Sequence, residues 1–577
     1  MDTQWFIHPP DFEGRRRLSA ALEIHPITSQ ILLNRKIATV YDAKRFLNPN
    51  LSELPDPFCL PDMDKAVDRI VAALKAKERI ALYGDYDVDG ITGVALLTRF
   101  LRSIGHEPLV FIPCRLTEGY GLNTSAIDRL KTLGASLIIT VDCGTRSLPE
   151  IEYAHKHGID IIVTDHHEVL DIPDHILLNP KRPDIDLPEK EMAGCAVAFL
   201  LLMALRKRLR GEKLLHLNEP NLKEHLDLVA LGTIADVIPL TGVNRIFAKH
   251  GLEIARNSMK PGMRSLIGVC GLEGVPLKTG NVAFRLAPRI NAAGRMGDAL
   301  PSLELLTTDD IHYAHEIARA LDTLNSDRQR IEERILQEAI ELIECEELHK
   351  RAAIVVAQEN WHAGIIGIVA SKLVERYALP AVVIAAEGKK AKGSARSVSG
   401  LNIVEALGKC SHLLDRFGGH AQAAGLQVET TRIDSFRKIF EACCAEIAPP
   451  QRAPRVTIDA LAEHKDITIK LAREIELFEP FGLGNPEPIL CANNLRVVNF
   501  RIVGKNHLKM SLAGDNNLYF DTIGFGLGET TLQVGQNVSI AFTPQINSWN
   551  GLESLQLKIR EISFNVIVSP SAHLSSS

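Results

Sequence analysis

From Arg79 onward the chain alternates short, strongly apolar runs with stretches of helical period, and acidic residues stand directly after the runs. Ile80–Tyr83 ends in a Gly-Asp turn, followed by a helix predicted over Ile91–Ile104 and closed by Gly105. Leu109–Pro113, Leu137–Val141 and Ile159–Thr164 read as further strands, with a helix over about Leu148–His157 between the last two. Parallel neighbours need a crossover, so this alternation commits the chain to a parallel sheet with helices on both faces. The carboxyl ends of such strands share one edge, where ligands bind. That edge would collect Asp85, Asp87 and Asp89 from one strand, Asp142 from a second, and Asp165, His166 and His167 from a third.

Carboxylates gathered that closely repel one another unless cations neutralise them. Asp and His donors without thiolates suit Mn²⁺ or Mg²⁺ better than structural zinc. Five or more such donors exceed what one ion takes from protein while leaving room for substrate. Two ions roughly 3.5–4 Å apart, bridged by one Asp, accommodate them, and such a pair suits phosphoryl transfer to water. The competing reading of an Asp after a strand is a helix N-cap. It would explain Asp142 well, but capping needs one oxygen donor and does not explain three alternating acids in Asp-Tyr-Asp-Val-Asp-Gly. Adjacent histidines are more often satisfied core groups, yet here they follow an Asp at a strand end.

The rest of the chain extends the plan. A helical stripe from about Asp309 to His349 (Ile311, Ala314, Ala318, Leu321, Leu324, Ile331, Ile335, Leu342) is long enough to join two domains. Beyond it Ala352–Ala357 and Ala381–Ala386 flank a helix over Ile365–Tyr377, a second α/β unit. Residues 448–454 (APPQRAP) read as a linker. Leu495–Val503, Leu508–Leu512, Tyr519–Gly524, Asn537–Phe542 and Leu555–Ile562 then give five short strands, with an oligonucleotide-binding (OB) barrel as one candidate. The Ser-rich tail 566–577 is expected to be disordered, and residues 1–50 carry helical period without an assignable role.

A length of 577 residues with 46% hydrophobic and 24% charged positions fits a globular protein of roughly three or four domains. The longest uncharged apolar stretch, Met192–Leu205, reads as a buried helix too short to span a bilayer. The opening MDTQWFIHPP lacks a signal-peptide pattern, and the ten cysteines form no CxxC. A reduced, cytoplasmic protein is expected. A net charge of −6 excludes coating of nucleic acid by bulk charge but not a local basic groove. Three windows poor in acids are candidates: Gly274–Gly297, Gly388–Ala406 and Pro488–Gly514. A solvated face is the ordinary reading of any one of them.

The motifs GDYDVDG (84–90), VDCG (141–144), TDHH (164–167) and GTIADVIP (232–239) resemble those of the DHH phosphoesterases. APRINAAGRM (287–296), WHAGIIG (361–367), GSARS (393–397) and GGHAQAAG (418–425), followed by a barrel, resemble the branch that degrades single-stranded DNA. The resemblance covers about residues 50–565. It implies a DHH catalytic domain over 51–308, a connecting helix over 309–349, a DHH-associated substrate domain over 350–447 and an OB-like nucleic-acid domain over 455–565. It assigns Asp85, Asp87, Asp142, His166 and Asp236 as metal ligands, with Asp142 bridging. Asp89 and Asp165 orient those ligands and the turn, and His167 stands near the scissile phosphate.

Within the same resemblance, Arg289, Asn291 and Arg295 lie beside the DNA path. Ser394, Arg396 and a Gly418-Gly419-His420 turn hold phosphate. Arg501 and Lys505 lie in the basic barrel window, where OB strands track a backbone. Trp361 is left as core. The implied activity is metal-dependent 5′→3′ hydrolysis of single-stranded DNA to 5′-mononucleotides, in DNA repair and recombination. Its implied setting is a monomer without membrane, working with a single-strand-binding protein and a helicase. Two alternatives stand beside it. One is a phosphoesterase for small substrates such as oligoribonucleotides, cyclic dinucleotides or pyrophosphate, against which the extra barrel argues. The other is a non-catalytic DNA-binding scaffold, against which the full carboxylate set argues.

Overall fold

In a computed structural model the described residues are 4–187, 189–215, 219–447, 455–549 and 552–566. The linker 448–454, and the tail 566–577 apart from Val566, lie outside them. The chain forms two compact units, one of residues 56–236 and 251–452, the other of residues 1–55, 237–250 and 453–577.

In the first unit the strands β1 (Arg79–Gly84), β2 (Leu109–Phe111), β3 (Ala135–Val141), β4 (Asp160–Thr164) and β5 (Ile176–Leu178) form one sheet in the order β2-β1-β3-β4-β5. Every neighbour in it is parallel. Helix α1 (Val88–Ser103) begins three residues before the apolar period does, because Asp87 caps it by accepting from the Asp89 and Gly90 amides at 2.9 and 3.1 Å. The apolar stretch at 192–205 is helix α2 (Gly194–Gly211), buried on nearly every side. Its first amides, Gly194 and Cys195, donate to the Asp89 carboxylate at 2.6 and 2.8 Å. Helix α3 (Leu226–Ala235) ends on Asp236, and α4 (Ala287–Met296) carries the APRINAAGRM motif.

The long helix α5 (Ile311–Cys345) runs 35 residues from an Asp310 cap. Its C-terminal half supplies Ile335, Ala339 and Ile343 to a core shared with helix α6 (Ile366–Tyr377) and with strands β6 (Ile354–Glu359) and β7 (Ala381–Glu387). Trp361 lies in that core, donating to Glu338 at 2.7 Å. With β8 (Lys390–Arg396), β9 (Leu414–His420) and β10 (Ala423–Glu429) these strands make a sheet ordered β9-β10-β8-β7-β6. Gly418, Gly419 and His420 are therefore not a turn, as the sequence led us to expect, but the end of strand β9, paired with Gly425, Ala424 and Ala423. Gly419 alone serves close backbone approach: a Cβ there would stand 2.4 Å from the Ala423 carbonyl oxygen, whereas one on Gly418 would meet nothing within 4 Å.

In the second unit, strands β11 (Leu490–Val503), β12 (His507–Ala513), β13 (Tyr519–Phe525), β14 (Asn537–Trp549) and β15 (Leu552–Ser563) are ordered β11-β12-β13-β15-β14, and β14 closes back onto β11. That is the circuit of an OB barrel. Residues 4–50 are part of its fabric. Leu18, Ile27, Ile31 and Leu32 share a core with Leu471, Phe478, Leu508 and Phe542, and strand Gln4–Ile7 pairs in parallel with Arg455–Ile458.

Arg245 fastens the same unit, buried to 2% exposure. Its guanidinium donates to the carbonyls of Phe46, Leu477, Phe478 and Glu479 at 2.7–3.0 Å and lies 4.1 Å over the Phe46 ring. Arg245→Met would strand the carbonyls of Phe46, Leu477 and Glu479, that of Phe478 keeping its bond from Asn485, and is expected to destabilise this unit by about 3 kcal/mol or more. Hydrogen exchange would show it as lost amide protection in 490–563 with protection in 79–178 retained; equal protection in both proteins would refute the expectation.

Candidate active site

The sheet edge gathers the acids that the sequence placed there. Asp85 follows β1, Asp142 follows β3 and His166 follows β4, while Asp236 arrives from the end of α3. Three sets of donor atoms each lie within 4.8 Å of one another: Asp85, Asp87 and Asp142; Asp142, His166 and His167; Asp89, His166 and Asp236. His166 Nε2 stands 3.0 Å from Asp142, 3.6 Å from Asp236 and 3.8 Å from Asp89. Asp142 belongs to two of the three sets, as does His166.

The electrostatics of this cluster call for a cation. Burial and mutual repulsion push Asp85, Asp142 and Asp236 well above the ordinary carboxylate range and raise Asp87 as well. Burial also lowers His166, which favours the neutral imidazole that a metal requires. Asp85 Oδ1 and His166 Nδ1 are buried without a hydrogen-bond partner. Oxygen and imidazole donors left unsatisfied in this way fit a hard or borderline divalent ion.

Asp89 and Asp165 differ from these. Both Asp89 oxygens are engaged by the α2 amides, so it fixes the helix that backs the site. Asp165 accepts from the Thr145 and His166 amides, and its Oδ1 lies 2.7 Å from His167 Nδ1. Burial opposes its ionisation, but these bonds outweigh it and hold the carboxyl below its ordinary range; the same pairing raises His167 against burial. The His167 ring stacks on that of His420 from the end of β9, with centroids 5.9 Å apart.

The arginines divide in two. Arg289 donates through Nε to Asp322 on α5 at 2.8 Å and to the Arg285 carbonyl at 2.7 Å, so it braces helices. Arg295 is different: burial first, then the charges of Arg115, Arg328 and Arg396, lower it to about 10. Among the described residues no carboxylate pairs with Arg115, Arg295 or Arg396. Arg396 donates to the Ser394 and Ser371 hydroxyls at 3.0 and 3.2 Å, and Arg115 lies 5.0 Å over the Tyr86 ring, beside Asp85 and Asp87. Asn291 is half-buried on α4. Arg501 and Lys505 lie exposed on the barrel, and among the described residues neither forms an ion pair. Arg115 was missed in the sequence, because an Arg in a loop after a short strand carries no periodicity. Its place one residue past IPC, on the edge that collects the acids, was the only available signal.

Residues 79–233 match the DHH family N-terminal domain, 350–446 the DHHA1 domain and 458–561 the RecJ OB domain. The Bacillus subtilis single-stranded-DNA-specific exonuclease RecJ is 37% identical over 97% of this chain and 70% of its own length. The chain belongs to the RecJ family. The Escherichia coli RecJ is 34% identical over 94% of this chain and 96% of its own. The crystal structure of Thermus thermophilus RecJ in complex with Mn²⁺ superposes with a TM-score of 0.84 at 33% identity, covering 98% of this chain and 80% of that one. A second RecJ structure from that organism, in complex with Mg²⁺, gives a TM-score of 0.77. Among the described residues no helix is long and apolar enough to cross a membrane.

Proposed function

We propose that this RecJ-family chain hydrolyses single-stranded DNA from the 5′ end, releasing 5′-mononucleotides, with two divalent cations held by Asp85, Asp87, Asp142, His166 and Asp236. The observation that carries the reading is the overlap of three donor sets on Asp142 and His166, beside guanidiniums that lack carboxylate partners. Bound there, Mn²⁺ or Mg²⁺ would neutralise the carboxylates, activate water and stabilise charge on the phosphoryl oxygens. Arg115, Arg295, Arg396 and Ser394 present donors to a phosphate of the strand. Asp165 fixes the His167 ring with Nδ1 toward itself, leaving Nε2 to approach the leaving 3′ oxygen. His420, stacked on that ring, limits its rotation.

End-labelled single- and double-stranded DNA, incubated with Mn²⁺, Mg²⁺ or chelator, tests the proposal. The expected result is mononucleotide released first from the 5′ label, from single strands only and with metal only. Release from the 3′ label, or unabated release in chelator, would overturn it. A small-substrate phosphoesterase would instead cleave dinucleotides and spare long strands.

In the barrel window Lys509 is drawn toward Asp521 at 3.5 Å, whereas Arg501 and Lys505 are left to a backbone. Replacing both by Ala is expected to weaken binding of long single strands and to flatten the slope of log affinity against log salt by about 1–2. Turnover at saturating DNA should stay near the parent's. An unchanged slope would return these side chains to a solvated face.

A further inference from the structure

One side chain that the sequence did not single out touches two parts of the site at once. Tyr120 sits between Gly119 and Gly121, whose φ values of +81° and +90° turn the chain sharply on either side of it. The surrounding loop is tied down at several points. The Cys114 amide donates to Glu118 at 2.7 Å, the Tyr83 hydroxyl donates to the Gly121 carbonyl at 2.8 Å, and Lys392 of β8 donates to the Leu116 carbonyl at 2.9 Å. The Tyr120 side chain is no core residue, being 51% exposed, yet its hydroxyl points inward. It donates to the Asp142 carbonyl at 3.1 Å and lies 3.1 and 3.4 Å from the two ring nitrogens of His167.

Both targets need holding. Asp142 has φ +63°, a left-handed backbone that a non-glycine residue keeps only when its surroundings impose it. Its amide is fixed by the Thr164 carbonyl at 3.0 Å, and its own carbonyl by Tyr120. The two bonds together orient the peptide from which the Asp142 carboxylate projects into two of the three donor sets. His167 is fixed by Asp165 at Nδ1, and the Tyr120 oxygen blocks the ring from turning away on that side. With its proton directed to the Asp142 carbonyl and Nδ1 of the ring facing Asp165, the phenol oxygen meets the ring as a close neighbour that limits its rotation.

We propose that Tyr120 is a positioning residue of the hydrolytic site, whose single hydroxyl sets the Asp142 backbone and the His167 ring together. The inference rests on the hydrolytic reading above for its kinetic part only. Tyr120→Phe removes the oxygen and keeps the ring and the loop. With Mn²⁺ its kcat on single-stranded DNA is expected to fall roughly tenfold or more, with KM unchanged, and its Mn²⁺ affinity, followed by the electron paramagnetic resonance of free Mn²⁺, roughly tenfold. Without metal, the His167 ring resonances in nitrogen-15 NMR should shift, while thermal stability stays at the parent's value.

Parent-like kcat, Mn²⁺ affinity and His167 resonances in Tyr120→Phe would overturn the proposal. So would a fall in melting temperature with a parallel loss of DNA binding, which would mark the hydroxyl as a structural tie. Should the parent itself fail to degrade DNA, the hydrolytic reading fails. The Mn²⁺ and NMR measurements would then still decide the role of Tyr120.

Discussion

Asp142→Ala is expected to reduce nucleotide release by ~10³-fold or more while leaving single-strand binding and the fold intact. The carboxylate belongs to two donor sets, so its loss would disturb both proposed cations rather than one. It contributes nothing to the core, since Oδ1 has no hydrogen-bond partner and the group is raised by burial and by Asp89, Asp87, Asp85 and Asp236. The sign of that shift fixes a second readout. An acid whose pKa is raised on folding opposes folding when ionised, an effect absent at pH below its unfolded value and growing as pH rises above it. In chelator at neutral pH the relief of this opposition offsets the strain of an alanine at φ +63°, so Asp142→Ala should melt close to the parent. The parent should gain melting temperature on adding Mn²⁺, and the variant should gain less. Asp87→Ala should be equally inactive but also lose about 1 kcal/mol, because Asp87 caps α1. Full turnover in either variant, or unfolding of Asp142→Ala in chelator, would remove these residues from the metal site.

That pair of variants also shows how far the sequence could be read. The strand-end rule placed Asp85, Asp142, His166 and Asp165 on one edge, because parallel topology forces strand carboxyl ends together whatever the loops do. Capping falls on Asp87 and not on Asp142. It had seemed to suit Asp142, yet the next helix begins only at Leu148, after a Ser147 N-cap, and Asp142 caps nothing. It had seemed excessive for the Asp-Tyr-Asp-Val-Asp run, yet Asp87 does cap α1, and Asp89 receives the first amides of α2, more than a hundred residues on. Long-range partners of this kind leave no local pattern. The same holds for residues 4–50, whose apolar face is answered by Leu471, Phe478 and Phe542 near the other end of the chain. It holds also for Gly418 and Gly419, which read as a turn because glycines break strands. Only the partner strand β10 shows that they extend a strand and that Gly419 must be small to let it approach.

Double replacement of Arg115 and Arg396 by Leu is expected to abolish discrimination of the strand end, and the reason lies in charge. A terminal phosphate monoester carries close to two negative charges, an internal diester one. Burial first, and then the neighbouring guanidiniums, lower Arg295 to about 10; those like charges repel one another, so a dianion relieves the repulsion better than a monoanion does. The cluster would thus select the end of a strand over its middle, which is what an exonuclease must do. Each charge-assisted contact to phosphate is worth about 1.5–3 kcal/mol. Losing two should raise KM for 5′-phosphorylated single strands by roughly 10²-fold or more. Strands with a 5′ hydroxyl, which already forgo those contacts, should be affected far less. Arg289→Leu serves as the contrast: its partner is Asp322, so it should cost stability at the α4–α5 contact and leave the ratio of KM values for the two ends unchanged. The measurement is KM and kcat for matched oligonucleotides bearing either end. An equal loss on both, or a parent indifferent to the 5′ group, would mean that the guanidiniums track internal phosphates, and the origin of 5′ polarity would then have to be sought in the path of the strand.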